Sequence, residues 1–160
     1  MKYVVLFGAL IVVAFLAVLY FIPLGIEPLT EVYFENHTSL RANNFPNVTY
    51  NFTFTIHNLE YQDMNYKYNI SAFDVNGTFI KELSKGEVYL GNNMSQSVFV
   101  KYNLPKGFER TQVKVLVTKD DLGKVPDYKK KFWWPDPNYP TQIDVHFWVD
   151  EVTGPKVIFS

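Results

Sequence analysis

The chain has 160 residues, fifteen of them basic and sixteen acidic, for a net charge of -1, so it lacks the one-signed field that gathers nucleic acid onto a protein surface. Cysteine is absent, which excludes disulfides, thiolate metal sites and a thiol nucleophile. Fourteen Phe, eleven Tyr and three Trp exceed what a helical bundle of this size needs and suit the pleated, half-buried faces of strands.

At the N-terminus a stub, 1–3, precedes an uncharged run from Val4 to Ile22. At about 1.5 Å per residue such a run is long enough to cross a hydrocarbon core of roughly 30 Å. Lys2 lies before it, Glu27 and Glu31 after it, and the next basic residue is Arg41. The positive-inside bias then predicts a cytoplasmic N-terminus and an extracytoplasmic domain. A cleaved secretory signal is the alternative, but its apolar region is normally about 7 to 15 residues and ends in small residues. Here the run ends Leu19-Tyr20-Phe21-Ile22-Pro23, which favours a retained signal-anchor helix over 4–22. Pro23, Gly25 and Pro28 mark 23–29 as a linker, and 30–160 is left for one domain of ordinary size.

Beyond the linker the pattern is that of strands and turns. Thr30 to Glu35 reads as a short strand, and Asn43-Asn44-Phe45-Pro46 as a turn. From Asn47 to Asn58, Val48, Tyr50, Phe52, Phe54 and Ile56 alternate with Asn47, Thr49, Asn51, Thr53, Thr55 and His57, the period of a strand with one buried face. Met64 to Ala72 alternates likewise and places Asn69 on the polar side. Asn76-Gly77 predicts a tight hairpin with a primed turn, and Thr78 to Leu83 is the return strand. Val88 to Leu90, Val98 to Tyr102 and Thr111 to Thr118 continue the series. About seven short strands at spacings of about 8 to 12 residues predict an all-β, immunoglobulin-like antiparallel β-sandwich preceded by one transmembrane helix. The cysteine pair and central Trp of antibody domains are missing.

A C-terminal extension begins at about residue 119. It contains a turn at Asp120-Asp121-Leu122-Gly123, the basic-aromatic cluster Lys129, Lys130, Lys131, Phe132, Trp133 and Trp134, and prolines 135, 137 and 140. Ile143, Val145, Phe147 and Val149 form a last alternating strand, with Trp148 breaking the polar pattern on its other side. Either both faces of that strand are covered or Trp148 meets a partner. The cluster has three readings: a loop end tucked onto the sandwich, a foot on lipid headgroups, or, together with Trp148, a partner-binding patch.

Six N-linked sugar acceptor triplets begin at Asn36, Asn47, Asn51, Asn69, Asn76 and Asn93. Thirteen Asn and sixteen Ser plus Thr in 160 positions would give roughly one by chance. The excess predicts a glycoprotein, although Asn and Thr also furnish polar strand faces and turns. All six lie between 36 and 95, which leaves the C-terminal portion as a sugar-free surface where a protein partner or the membrane would contact the domain.

Catalytic patterns are weak. His37, His57 and His146 are the only histidines, and none has metal-ligand spacing. Glu60 with Asp63, and Asp120 with Asp121, read more simply as solvated turns than as calcium loops. No phosphate-cradling glycine loop or nucleophile elbow occurs. The expectation is a protein without cofactor, metal or catalysis.

Thr30-Glu31-Val32-Tyr33-Phe34, Asn44-Phe45-Pro46, Ile56-His57-Asn58-Leu59-Glu60-Tyr61 and Asn65-Tyr66-Lys67-Tyr68 resemble the extracytoplasmic part of archaeal membrane proteins in domain-of-unknown-function family 1616. The resemblance spans roughly 28 to 118 and implies an Ig-like domain with no assigned chemistry. An archaeal source also suits an extracytoplasmic domain without cysteine. One membrane segment instead of several, and the longer C-terminus, depart from the family pattern. The expected function is a membrane-anchored, glycosylated sandwich that contacts other envelope or membrane-complex proteins. An accessory subunit of a larger membrane enzyme and a filament built by strand exchange are the alternatives.

Overall fold

The computed structural model describes residues 2–21, 29–120 and 141–152. Two sheets face each other. The first has the order β1 (Leu29–Phe34), β3 (Tyr50–Leu59), β6 (Ser95–Tyr102). The second has the order β2 (Asn43–Asn44), β8 (Gln142–Glu151), β7 (Arg110–Lys119), β4 (Met64–Asp74), β5 (Phe79–Leu90). All pairings are antiparallel except the two-residue contact of β2 with β8. A 3₁₀ turn, η1 (His37–Ser39), follows β1 and is capped by the Asn36 carboxamide oxygen, which accepts from the Thr38 amide.

The alternation read from the sequence is what builds the core. Phe52, Phe54 and Ile56 of β3, Tyr66, Ile70 and Ala72 of β4, Val113, Val115 and Val117 of β7, and Phe147 and Val149 of β8 all point inward and are buried. Phe52 is a hub, with ring centroids 5.2 Å from Phe147, 5.7 Å from Tyr102 and 5.8 Å from Phe34, all edge-on. Each such contact is worth about 0.5–1.5 kcal/mol beyond its buried area, so aromatic packing couples the two sheets where disulfides cannot.

Four expectations are corrected. The N-terminal run forms α1 (Lys2–Phe21), with the side chains at 7–18 exposed. Among the described residues, however, no helix is long and apolar enough to cross a membrane. That overturns the expected single-pass anchor over 4–22, with its cytoplasmic N-terminus and extracytoplasmic domain.

At the β4–β5 hairpin, Gly77 has φ +80° while Asn76 is not among the positive-φ residues, so the turn is not the primed type with both central residues left-handed. Asp74 organises it instead. Its carboxylate oxygen accepts from the amides of Asn76 at 2.8 Å and Thr78 at 2.7 Å, and these amides hold the Asp74 carboxyl below its usual pKa. Lastly, the two segments Thr78 to Leu83 and Val88 to Leu90 belong to one strand, β5, and the strand expected from Asn47 begins at Tyr50 because Asn47 sits in a turn at φ 59°.

Candidate functional site

Cross-strand register places the outward side chains of the five-stranded sheet in rows. One row runs Lys85, Asn69, Leu116, Asp144, and the next Glu82, Ser71, Lys114, His146. These rows are laced by exposed ion pairs: Lys85 Nζ to Glu82 at 3.1 Å and Lys114 Nζ to Asp144 at 3.4 Å. Lys67 meets Asp120 at 2.7 Å, and that carboxylate raises the lysine pKa. Exposed pairs of this kind contribute only about 0–1 kcal/mol each, so the rows form a solvated face.

The row at the far end is different. It runs Phe79, Phe73, Gln112, Trp148 across four strands. Phe73 and Phe79 meet edge-on with centroids 6.0 Å apart, and the Arg110 guanidinium carbon lies 5.2 Å from the Trp148 ring centroid. Phe79 remains 57% exposed, Val75 in the adjoining turn 59% and Trp148 36%. Arg110 also reaches Asp150 at 3.6 Å, which holds its planar group over the indole. Large rings with an arginine beside them, outside the core and on rigid strands, can anchor a protein partner. The outer face of the three-stranded sheet offers less. There Glu35 accepts from the hydroxyls of Thr55 and Ser97, His57 faces Glu31 at 3.3 Å, and the exposed rings are Tyr33, opposite Thr55, and Phe99, opposite Thr53.

Of the residues singled out in the sequence as partner-binding, Trp148 lies in this row; Lys129, Lys130, Lys131, Phe132, Trp133 and Trp134 lie outside the described residues. The acceptor asparagines 36, 47, 51, 76 and 93 are exposed. Asn69 is half-buried on the outer sheet face, its amide donating to Glu82 at 3.1 Å and its oxygen accepting from Ser71 at 2.8 Å. The histidines are not brought together: His57 and His146 lie on opposite outer faces, and His37 is in η1. Among the described residues no group of three or more His, Cys, Asp and Glu side chains is placed to hold a metal ion.

Glu60 is not in a solvated turn. It is fully buried, accepting from Lys119 Nζ at 2.5 Å and from the Thr30 hydroxyl at 2.6 Å, while Thr30 also meets the Tyr66 hydroxyl at 3.0 Å. Asp63, its supposed companion, instead accepts from the Asn92 amide and the Tyr89 hydroxyl. Sequence reasoning missed this cluster, because nothing local to Glu60 or Lys119 points to a partner 59 residues away.

No protein-family model and no curated protein matches the sequence. Among solved structures, a chain of the complex between Zinc 2-glycoprotein and Prolactin inducible protein from human seminal plasma aligns with TM-score 0.52 and 10% identity, over 81% of this chain and 99% of that one. The CARDB domain of a Pyrococcus furiosus protein, solved with di-metal ions, gives 0.48 and 15%, over 80% and 94%. A human ASH/PapD-like domain gives 0.36 and 11%, over 81% and 93%. What the chain shares with such structures is the fold alone, a mostly β, sandwich-like architecture of the immunoglobulin kind.

Proposed function

We propose that this protein is a non-catalytic interaction module that binds another protein through the aromatic end of its five-stranded sheet. The observation that carries this reading is the row of Phe79, Phe73 and Trp148 on the outside of the sandwich, flanked by Arg110. Fully burying a side chain of this size gains about 1.5–3 kcal/mol, and a partner surface would supply the part that the exposed fractions of Phe79 and Trp148 leave unrealised. A sandwich of the same architecture takes part in a two-protein complex from human seminal plasma, so the fold is suited to such a role. The resemblance to family 1616 belongs to this proposal and adds no chemistry to it. A second reading, an accessory subunit of a larger enzyme, uses the same surface and differs only in what sits on it.

The test is native sizing of the protein extracted from its own cells, wild type against the double variant Phe79→Ala, Trp148→Ala. Both side chains are outside the core, so the variant should keep the wild-type thermal midpoint within about 2–4 °C. It should move from a complex to the position of the free chain. A variant that stays in the wild-type complex, or a wild type that migrates alone, contradicts the proposal. Co-migration with an enzymatic activity lost in the variant would select the accessory-subunit reading.

A further inference from the structure

A cleft of about 410 Å³ lies between the segment 40–49 and the ends of β3, β6 and β8, drawing its walls from both sheets. That volume is within the range of small-molecule sites, roughly 300–1,000 Å³. Its lining mixes polar and apolar groups. It includes the half-buried rings of Phe45 and Tyr50 and the edges of the core rings Phe52, Tyr102 and Phe147, which are 3%, 5% and 9% exposed.

The walls are held in place before any ligand arrives. The Tyr50 hydroxyl accepts from the Phe45 amide at 2.8 Å, which ties the ring to the overlying segment. The Tyr102 hydroxyl accepts from the Asn44 amide at 2.7 Å. Asn44 is 1% exposed, and its carboxamide oxygen is the one buried side-chain polar atom among the described residues with no hydrogen-bond partner. A buried unsatisfied oxygen costs about 1–3 kcal/mol, so this end of the fold sacrifices stability where the cleft is built.

Among the described residues, one cation lines the cleft. Arg41 is exposed, with its guanidinium carbon 6.0 Å from the Tyr50 ring centroid, and it makes no ion pair among the described residues. Arg110, by contrast, is paired with Asp150, and Lys67, Lys85, Lys114 and Lys119 are paired with carboxylates. A planar guanidinium fork without a carboxylate, beside a ring wall, matches a ligand that joins a six-membered ring with an apolar face to one carboxylate. Stacking on the tyrosine face and the two-point contact to arginine would act together.

We propose that this cleft binds a small ring-bearing monocarboxylate, with Arg41 taking the carboxylate and Tyr50 and its aromatic neighbours taking the ring. Such a ligand has two sources, an aromatic acid or a uronic acid unit of a carbohydrate. Saturation-transfer and chemical-shift NMR on the full chain, titrated with phenylacetate, glucuronate and the neutral analogues benzyl alcohol and glucose, tests the site. The expected result is binding of at least one acid, with shifts at Tyr50 and Tyr102 and no comparable binding of its neutral analogue. Binding of phenylacetate alone supports the aromatic source, and binding of glucuronate alone the carbohydrate source. Arg41→Gln, a change at an exposed position that leaves the backbone spectrum intact, should weaken binding at least tenfold, and Arg41→Lys by less. Binding of neither acid, equal binding of the neutral analogues, or an affinity unchanged in Arg41→Gln overturns the proposal.

Discussion

Tyr66 is the residue at which the chemistry of the interior is most exposed to test. Its ring is fully buried and its hydroxyl ends beside Thr30. Burial pushes its pKa from 10.0 up to about 12; the Thr30 hydrogen bond lowers it somewhat, and the Glu60 carboxylate raises it further. Below pH 10 the tyrosine is neutral in both folded and unfolded chains and costs nothing. Between 10 and about 12 the unfolded chain releases the proton first, so stability is lost as pH rises, by about 1.4 kcal/mol per unit. Tyr66→Phe should therefore remove about one proton's worth of slope from the urea midpoint measured between pH 10 and 12, with little change at pH 8. An unchanged slope would mean that the hydroxyl is not held neutral by the fold. Alternation alone put Tyr66 inside. It could not place Glu60 and Lys119, because strand periodicity assigns a face, and an ion pair 59 residues apart in sequence exists only after the ends of β3 and β7, which belong to different sheets, have been brought together.

At the scale of the element, β5 explains both what the pattern revealed and what it concealed. Its pairing with β4 shifts register between Ile70 and Ser71 and again between Ala72 and Phe73. Leu83 and Ile80 are the residues passed over, so the inside-outside alternation changes phase twice along one strand. A period-2 reading breaks at such points, which is why two short strands were expected. The bulges, with Lys81 and Lys85, also blunt this edge of the sheet against pairing with another chain. Gly86 is part of the same design. A Cβ at this position would lie 2.4 Å from the Tyr68 hydroxyl oxygen and 2.6 Å from its Cζ, because the Tyr68 ring covers the glycine. That ring also packs on Phe54 at 5.5 Å, so it cannot swing away freely. Gly86→Ala should cost about 1–3 kcal/mol, the usual range for overpacking, measured by urea denaturation. A neutral effect would show that Tyr68 moves without loss.

For the whole molecule, the sandwich was legible because most strands keep one unbroken alternation, as β3, β7 and β8 do. The contact surface was legible only in part. Trp148 stood out because it broke a polar pattern, whereas Phe73 and Phe79 gave no such sign. They join Trp148 in one row only through the register of β5, β4, β7 and β8, a property of the sheet and not of any segment. The two outer faces are expected to differ in use. Phe79 is 57% exposed on the five-stranded sheet and Phe99 58% on the three-stranded sheet, so the two serve as a matched pair for comparison. The most direct measurement replaces each in turn with a photo-crosslinking phenylalanine analogue and irradiates the cells that make the protein. Covalent adducts of one partner from position 79, and none above background from position 99, are the predicted result. Equal adducts from both positions, or none from 79, would contradict the assignment of the aromatic row as the binding face.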